Sequence, residues 1–175
     1  MVLSQTSSAQ EAIALIRNLK PYGASGDACA LLLGDDSGLY RIEIAGNRVA
    51  SKPVKKDAAT NHFILEEMVE LEASGLSEQM ARNTSKLRYA SGQKFINEEK
   101  VIGVESLKKF LQSSGNVDDW CRTGVFPDEG WTTASHIIDT AKGKFYSWHG
   151  PCFPNSDVKE KWSSIDFPWI KAPKT

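Results

Sequence analysis

The sequence predicts an α+β protein in which antiparallel β-hairpins pack against α-helices. One observation is apolar residues at helical spacing near the N-terminus and in the middle of the chain. Another is two pairs of short segments with strand character, each pair joined by a turn containing glycine. Because a short hairpin buries little apolar surface by itself, the helices are expected to cover it. The predicted order of helix, hairpin, helices and hairpin favours an antiparallel sheet with packed helices.

The composition fits a single globular domain over residues 1–175. The chain is 41% hydrophobic and 25% charged, with a net charge of −1. A nearly neutral chain gives no electrostatic reason to expect a nucleic acid or an anionic membrane as a partner. No apolar run approaches the length of a membrane span, so we expect no membrane association.

The first half of the chain predicts one helix followed by one hairpin. Ser8 and Glu11 form a capping box before a run of apolar residues that begins at Ala12. Residues 28–33 and 39–45 read as two strands around a turn. The polar segment that follows, residues 47–59, contains Pro53 and predicts a loop or an irregular edge strand.

The second half predicts three helices, a second hairpin and an irregular tail. The helices are expected at residues 64–73, 77–97 and 104–111. The hairpin strands are expected at residues 133–139 and 144–149. Residues 153–175 are rich in proline and tryptophan, which predicts a tail without regular structure.

The three cysteines indicate neither a disulfide framework nor a metal centre. They are odd in number and far apart, at Cys29, Cys121 and Cys152. Cys29 falls in an apolar strand, which predicts a buried and inert thiol. The N-terminus does not resemble a secretory signal, so we expect a cytoplasmic protein. No cofactor site is predicted.

Five short motifs resemble those of the acyl-coenzyme A:isopenicillin N acyltransferase-like family. The most informative pair is Thr60-Asn61-His62-Phe63 followed by Ser85-Lys86-Leu87-Arg88. The similarity extends in order over about residues 8–155. The other motifs are Leu33-Gly34-Asp35 with its hairpin, Thr132-Thr133-Ala134-Ser135, and Gly150-Pro151-Cys152.

The resemblance implies a truncated αββα sandwich of the N-terminal-nucleophile hydrolase kind. In that family an attacking cysteine lies upstream of the asparagine, and we expect that this chain does not contain it. An inner sheet face left open would be apolar and would require a cover. We therefore expect a homodimer, or a partner subunit that completes the sandwich and carries the nucleophile.

The resemblance also implies three catalytic candidates, each with a structural alternative. Asn61 would donate a side-chain N–H to a developing oxyanion, or would cap the helix that follows it. Arg88 would organise the site, or would form an ion pair with Glu43 or Asp139. His62, beside Asn61, would take part in catalysis, or would be a packed, hydrogen-bonded neighbour.

Four further residues are candidates for binding a substrate. Trp131 and Trp148 belong to an aromatic-rich segment that would line an apolar pocket or would simply pack in the core. His136 and His149 fall on the two strands of the second hairpin. A metal site there would need a third ligand on the same face and none is evident, so surface histidines are the simpler reading and no metal site is predicted.

Together these features predict an acyltransferase-like or amidohydrolase-like protein that acts on a small amide or acyl substrate. It would be paired with a nucleophile-bearing subunit, or be adapted to small-molecule biosynthesis. The alternative is a non-catalytic binding or assembly protein that kept the fold and lost the reaction.

Overall fold

The protein is α+β, with two small antiparallel sheets and four helices among the described residues. The computed structural model describes residues 5–19, 28–71, 76–113, 120–121, 132, 134–149 and 162–166. The chain divides into two compact units, residues 1–96 (unit 1) and 97–175 (unit 2). Within the described ranges, no helix has the length and apolar character needed to cross a membrane.

Unit 1 begins with helix α1 and a three-stranded meander. These elements are α1 (Ala9–Leu19), β1 (Ala28–Asp35), β2 (Gly38–Ala45) and β3 (Arg48–Val54), with β2 in the centre of the sheet. The predicted helix and the β1–β2 hairpin are confirmed. The polar segment after Asn47 forms strand β3 at the edge of the sheet, where Pro53 is tolerated because its missing N–H is not needed by a second neighbour.

The capping box predicted for α1 forms, with Ser7 as an additional partner of Glu11. The backbone N–H of Glu11 donates to Oγ of Ser8 at 3.2 Å, as a capping box requires. The carboxylate of Glu11 accepts mainly from the backbone N–H and hydroxyl of Ser7, with a smaller contribution from the backbone N–H of Ser8. A carboxylate from the sheet completes the helix start, because Asp35 Oδ2 accepts the N–H of Ala9 at 2.6 Å.

Two further helices complete unit 1, and helices cover both faces of its sheet. They are α2 (Glu66–Val69) and α3 (Leu76–Glu98), whose last two residues are counted in unit 2. Ile42 and Ile44 of β2 pack with Ile13 of α1, whereas Ala50 of β3 packs with Phe63, Leu65 and Met68 on the other face. Of the helix predicted at residues 64–73, residues 66–69 are helical, residues 64, 65, 70 and 71 are not, and residues 72 and 73 lie outside the described residues.

Unit 2 contains one helix and a second three-stranded meander. The elements are α4 (Val104–Leu111), β4 (Ala134–Asp139), β5 (Lys144–His149) and β6 (Ser163–Asp166), with β5 in the centre. The predicted helix and hairpin are confirmed. Gly143, in the β4–β5 turn, has φ of 61°, a conformation that glycine adopts without strain. Strand β6 differs from the irregular tail that was predicted, because its four residues find hydrogen-bond partners on β5.

Candidate functional site

Asn61 and Arg88, the two residues carried by the paired motifs, lie together in unit 1. Arg88 Nη2 donates to Asn61 Oδ1 at 3.3 Å, and its Nη1 donates to Thr84 Oγ1 at 3.2 Å. Arg88 is buried on α3, whereas Asn61 is exposed on the loop before α2. Because the guanidinium engages the amide oxygen, the Nδ2 end of Asn61 is the donor that faces away from Arg88.

His62 is anchored beside this pair by hydroxyl groups. Its Nδ1 lies 2.8 Å from Oγ of Ser85 and 3.1 Å from Oγ1 of Thr60. Thr60 Oγ1 also donates to the backbone carbonyl of Ser85 at 3.1 Å. The imidazole is buried and meets the ring of Tyr89 edge to face, with centroids 5.5 Å apart. The three catalytic candidates therefore form one cluster between the loop at residues 60–62 and α3.

A buried network of charged residues lies beside the Asn61, His62 and Arg88 cluster, on the same face of the unit 1 sheet. Arg41 is 1% exposed and Glu43 is 0% exposed, and Arg41 Nη1 donates to Glu43 Oε1 at 3.1 Å. Arg41 Nε donates to Asp57 Oδ2 at 2.6 Å, and its Nη2 donates to the carbonyl of Ala58. Gln93 of α3 donates to the second oxygen of Asp57 at 2.5 Å. Buried charge is tolerable here because each group is paired and hydrogen-bonded.

Glu43 anchors the backbone that leads into helix α2. Its carboxylate accepts the backbone N–H of Ile64 at 2.9 Å and that of Leu65 at 3.0 Å, where the chain enters the helix. No side-chain hydrogen bond caps α2 at its own N-cap residue, Leu65. The cap proposed as the alternative role of Asn61 is therefore wrong. A negative charge at a helix start is also favoured by the helix dipole.

The network changes the protonation behaviour of two of its members. Burial alone would lower the pKa of Arg41, but the hydrogen bond and charge of Asp57, with the charge of Glu43, raise it. Burial raises the pKa of Tyr89, the charge of Asp57 adds to this, and the charge of Arg41 opposes it. The Arg41 guanidinium lies 5.7 Å from the centroid of the Tyr89 ring. Both shifts favour a charged Arg41 and a neutral Tyr89.

The predicted substrate-binding residues belong to unit 2 and divide between the faces of its sheet. His136 lies opposite Ser147 in the β4–β5 ladder, and His149 is two residues further along β5, so all three share one face. Ser147 Oγ lies 3.1 Å from His136 Nδ1 and 2.7 Å from His149 Nε2. Trp148, between Ser147 and His149, points to the opposite face. Trp131 lies outside the described residues.

Trp148 lies in the aromatic layer beneath helix α4. It is 2% exposed, and the ammonium group of Lys108 on α4 lies 5.0 Å from the ring centroid of neighbouring Tyr146. The indole N–H of Trp148 has no hydrogen-bond acceptor among the described residues, and the same is true of Trp162. Trp148 is accordingly a core residue with a buried donor, and it does not open onto the histidine face.

The cysteines depart from their predicted roles. Cys29 is exposed, because β1 lies at the edge of its sheet, so the prediction of a buried thiol was wrong. Cys121 is buried and disulfide-bonded, which corrects the prediction that these cysteines form no disulfide. Cys152 lies outside the described residues. No group of three or more His, Cys, Asp or Glu side chains in the described part of the chain is placed to hold a metal ion.

Sequence reasoning missed the residues that support the site. Arg41, Asp57 and Ser147 carry hydrogen bonds just described and belong to no recognisable motif, whereas Ser85 begins the second motif but was given no role of its own. The available signal was the alternation of β2, in which Arg41 and Glu43 share one face. That pattern is typical of a solvent-facing strand surface, and only the packing of the 57–65 segment buries it.

No protein-family model, curated protein or solved structure matches this chain. The resemblance to the acyltransferase-like family therefore remains a prediction from the motifs.

Proposed function

We propose that unit 1 carries a carbonyl-polarising site for a small amide or acyl substrate, with Asn61 as the donor. The observation that carries the proposal is the 3.3 Å contact between Arg88 and the amide oxygen of Asn61. This contact fixes which end of the amide accepts and which end donates. An exposed N–H held in a fixed direction suits charge that develops on a carbonyl oxygen.

Arg88 would act as a positioning residue in this site. It is buried on α3 and also tied to Thr84, so its guanidinium lies in a fixed orientation. A rigid donor avoids the reorganisation cost that a mobile side chain would incur during the reaction. His62 is bonded to Ser85 and packed against Tyr89, which supports a role in holding the loop that carries Asn61.

The attacking group would come from outside the described site. Cys29 pairs with Ile44 in the β1–β2 ladder, so its side chain lies on the face of α1. The Asn61 cluster lies beside Arg41 and Glu43 on the other face. Cys29 is therefore not the nucleophile for Asn61, and a thiol supplied by a partner or a second substrate is the consistent proposal. The paired-sheet sandwich remains part of this proposal and rests on the motifs alone.

Thiol-dependent acyl transfer tests the role of Asn61. The full chain is incubated with p-nitrophenyl butyrate and N-acetylcysteamine, which yield a butyryl thioester and p-nitrophenolate with release of one proton. We expect the chain to accelerate thioester formation, and Asn61→Ala to remove most of that acceleration, since one oxyanion donor contributes about 3 kcal/mol. Because the variant also removes an acceptor of the buried Arg88 guanidinium, its stability should fall somewhat, and the rates are compared at a temperature at which circular dichroism shows both proteins folded.

The matched control is Asn47→Ala, which removes an exposed asparagine from the β2–β3 turn of the same unit. It should leave the rate unchanged. Equal rates for the wild-type chain and Asn61→Ala, or no acceleration over buffer, would exclude the proposal.

An assembly protein is the second candidate, and strand β1 favours it. In the part of the chain that the structure describes, β1 pairs only with β2, and its Leu31 is 41% exposed. Natural proteins protect edge strands with charge, proline or a bulge, whereas the interior of β1 is uncharged and apolar. A second copy of the chain, adding β1 to β1, would complete the ladder and cover Leu31.

Sedimentation at increasing protein concentration tests this assembly. A dimer that Leu31→Lys dissociates would support it, with Leu19→Lys as the control because Leu19 is 53% exposed on α1 of the same unit. A monomer at all concentrations would exclude it.

The expected cytoplasmic location belongs to the proposal too. The Cys121 disulfide weighs against that location, because disulfides persist mainly in oxidising compartments.

A further inference from the structure

Two exposed histidines in unit 2 direct ring nitrogens at a single atom. His136 Nδ1 and His149 Nε2 lie 3.1 Å and 2.7 Å from the same hydroxyl oxygen, Oγ of Ser147. The two imidazole rings meet edge to face, with centroids 5.8 Å apart. From this convergence we propose that His136, Ser147 and His149 form a binding site for a divalent transition-metal ion, with Zn²⁺ as the representative ion.

The strands fix the positions of the three donors. His136 and Ser147 are directly paired across the β4–β5 ladder, and His149 follows Ser147 on the same face of β5. The ring of His136 stacks on Phe145, with centroids 5.1 Å apart and planes 22° apart. Strand β6 secures the other side, because the hydroxyl of Ser163 donates to the carbonyl of Ser147 at 3.1 Å. A site on paired strands needs little backbone rearrangement to bind.

The chemistry of the hydroxyl explains why a metal ion fits this arrangement. A serine hydroxyl carries a single proton, so it donates to only one of the two ring nitrogens that face it. The other nitrogen must itself be a donor toward the same oxygen. A metal ion at this point would accept an electron pair from each neutral imidazole nitrogen and from the hydroxyl oxygen. All three groups can therefore act as ligands at once, whereas in the hydrogen-bonded arrangement one ring must donate.

The distances of the two nitrogens from the serine oxygen are compatible with coordination of a shared ion. Two imidazole nitrogens bound to tetrahedral Zn²⁺ at about 2.0 Å lie roughly 3.3 Å apart. Each nitrogen already lies near this separation from the third donor, since Ser147 Oγ is 3.1 Å from His136 Nδ1 and 2.7 Å from His149 Nε2. Both histidine side chains are exposed, so their rings can rotate towards each other without disturbing the core.

The donor set predicts which ions bind. Imidazole prefers Zn²⁺, Ni²⁺ and Cu²⁺ to Mg²⁺ or Ca²⁺, which prefer carboxylate and carbonyl oxygen. The site offers two nitrogens and one hydroxyl, and water would fill the remaining positions. Ser147 supplies the third protein donor, which the positions of the histidines in the sequence did not indicate. An open coordination position of this kind is typical of exchangeable or catalytic metal sites.

Isothermal titration of the full chain with Zn²⁺ tests the proposal. We expect one ion per chain, and at least a tenfold weaker dissociation constant for each of His136→Gln and His149→Gln. Ser147→Ala should weaken binding less, because both imidazoles remain. A parallel titration with Mg²⁺ should give no binding.

Two variants keep the result interpretable. Cys29→Ser removes the exposed thiol on β1, which is an alternative zinc ligand, and should leave the affinity unchanged. The double variant His136→Gln/His149→Gln retains His62 and should no longer bind zinc. Circular dichroism should show that this variant is folded. Zinc binding that persists in this double variant, or that disappears in Cys29→Ser, would overturn the proposal, as would the absence of binding in the unaltered chain.

Discussion

The two units contain the same chemical pair, a serine hydroxyl against a histidine ring, in opposite surroundings. In unit 1, Oγ of Ser85 lies 2.8 Å from Nδ1 of His62, and both residues are buried beside a network of paired charges. In unit 2, Oγ of Ser147 lies 2.7 Å from Nε2 of His149, whose ring is exposed. The distances are nearly equal, so the bond itself does not distinguish the two pairs.

Their surroundings decide what each pair can do. A buried histidine that loses its hydrogen-bond partner retains an unsatisfied polar atom, so the pair in unit 1 holds the structure together. An exposed histidine can exchange its partner for water or a ligand at little cost. The pair in unit 2 is therefore available for binding, and the following predictions test this difference from the largest expected effect to the smallest.

The largest effect is expected from Glu43→Ala in unit 1. This substitution leaves Arg41 with one fewer partner in a buried site and removes the acceptor of two backbone N–H groups at the start of α2. We expect the free energy of unfolding to fall by about 3–5 kcal/mol, measured by urea denaturation.

A matched ion pair on the surface of the same unit provides the control. Arg48 and Glu70 are joined by a 2.5 Å contact, but their side chains are 54% and 68% exposed. Glu70→Ala should cost about 1 kcal/mol or less, because water solvates the charge that remains. If the two substitutions cost the same, the buried network is not a major source of stability.

An intermediate loss of stability is expected when the serine of each histidine–serine pair is replaced by alanine. Ser85→Ala should lower the free energy of unfolding by about 1–2 kcal/mol, because the ring of His62 stays buried and its Nδ1 keeps only the longer contact to Thr60. Ser147→Ala should cost about 1 kcal/mol or less, because His136 and His149 can turn to water. Thermal unfolding of both variants measures the difference, and a larger cost at Ser147 would contradict the comparison.

The smallest effect is a loss of stability at alkaline pH caused by Tyr89. Its pKa is raised in the folded protein by burial and by the charge of Asp57, so the unfolded chain loses this proton first, at about pH 10. Between the unfolded and the folded pKa the native state binds more protons, and stability must fall as the pH rises. Below about pH 10 this contribution is fully present.

Urea denaturation between pH 8 and pH 11 measures this alkaline loss. Tyr89→Phe should make the loss shallower, because phenylalanine does not titrate. Tyr40→Phe, on the opposite face of β2, is the matched control and should leave the loss in place. An identical alkaline slope for the wild-type chain and Tyr89→Phe would show that the tyrosine does not contribute.

The sequence by itself determined the elements with strong local signals. The alternation of residues 39–45 and the turns before them predicted the first hairpin, and the apolar spacing of residues 104–111 predicted α4 within its observed bounds. It also selected Asn61, His62 and Arg88, which the structure brings into one cluster. These signals are local or carried by motifs, and so they can be read without the fold.

Only the tertiary structure decided how the polar residues are used. Whether Arg41 and Glu43 face water depends on the 57–65 segment covering them, a contact between residues distant in the chain. Likewise, Ser147 contacts two histidines because the β4–β5 register places it opposite His136, while His149 lies next to it on the same face of β5. Burial and register are properties of non-local packing, which is why the same residue types became a buried support in unit 1 and an exposed cluster in unit 2.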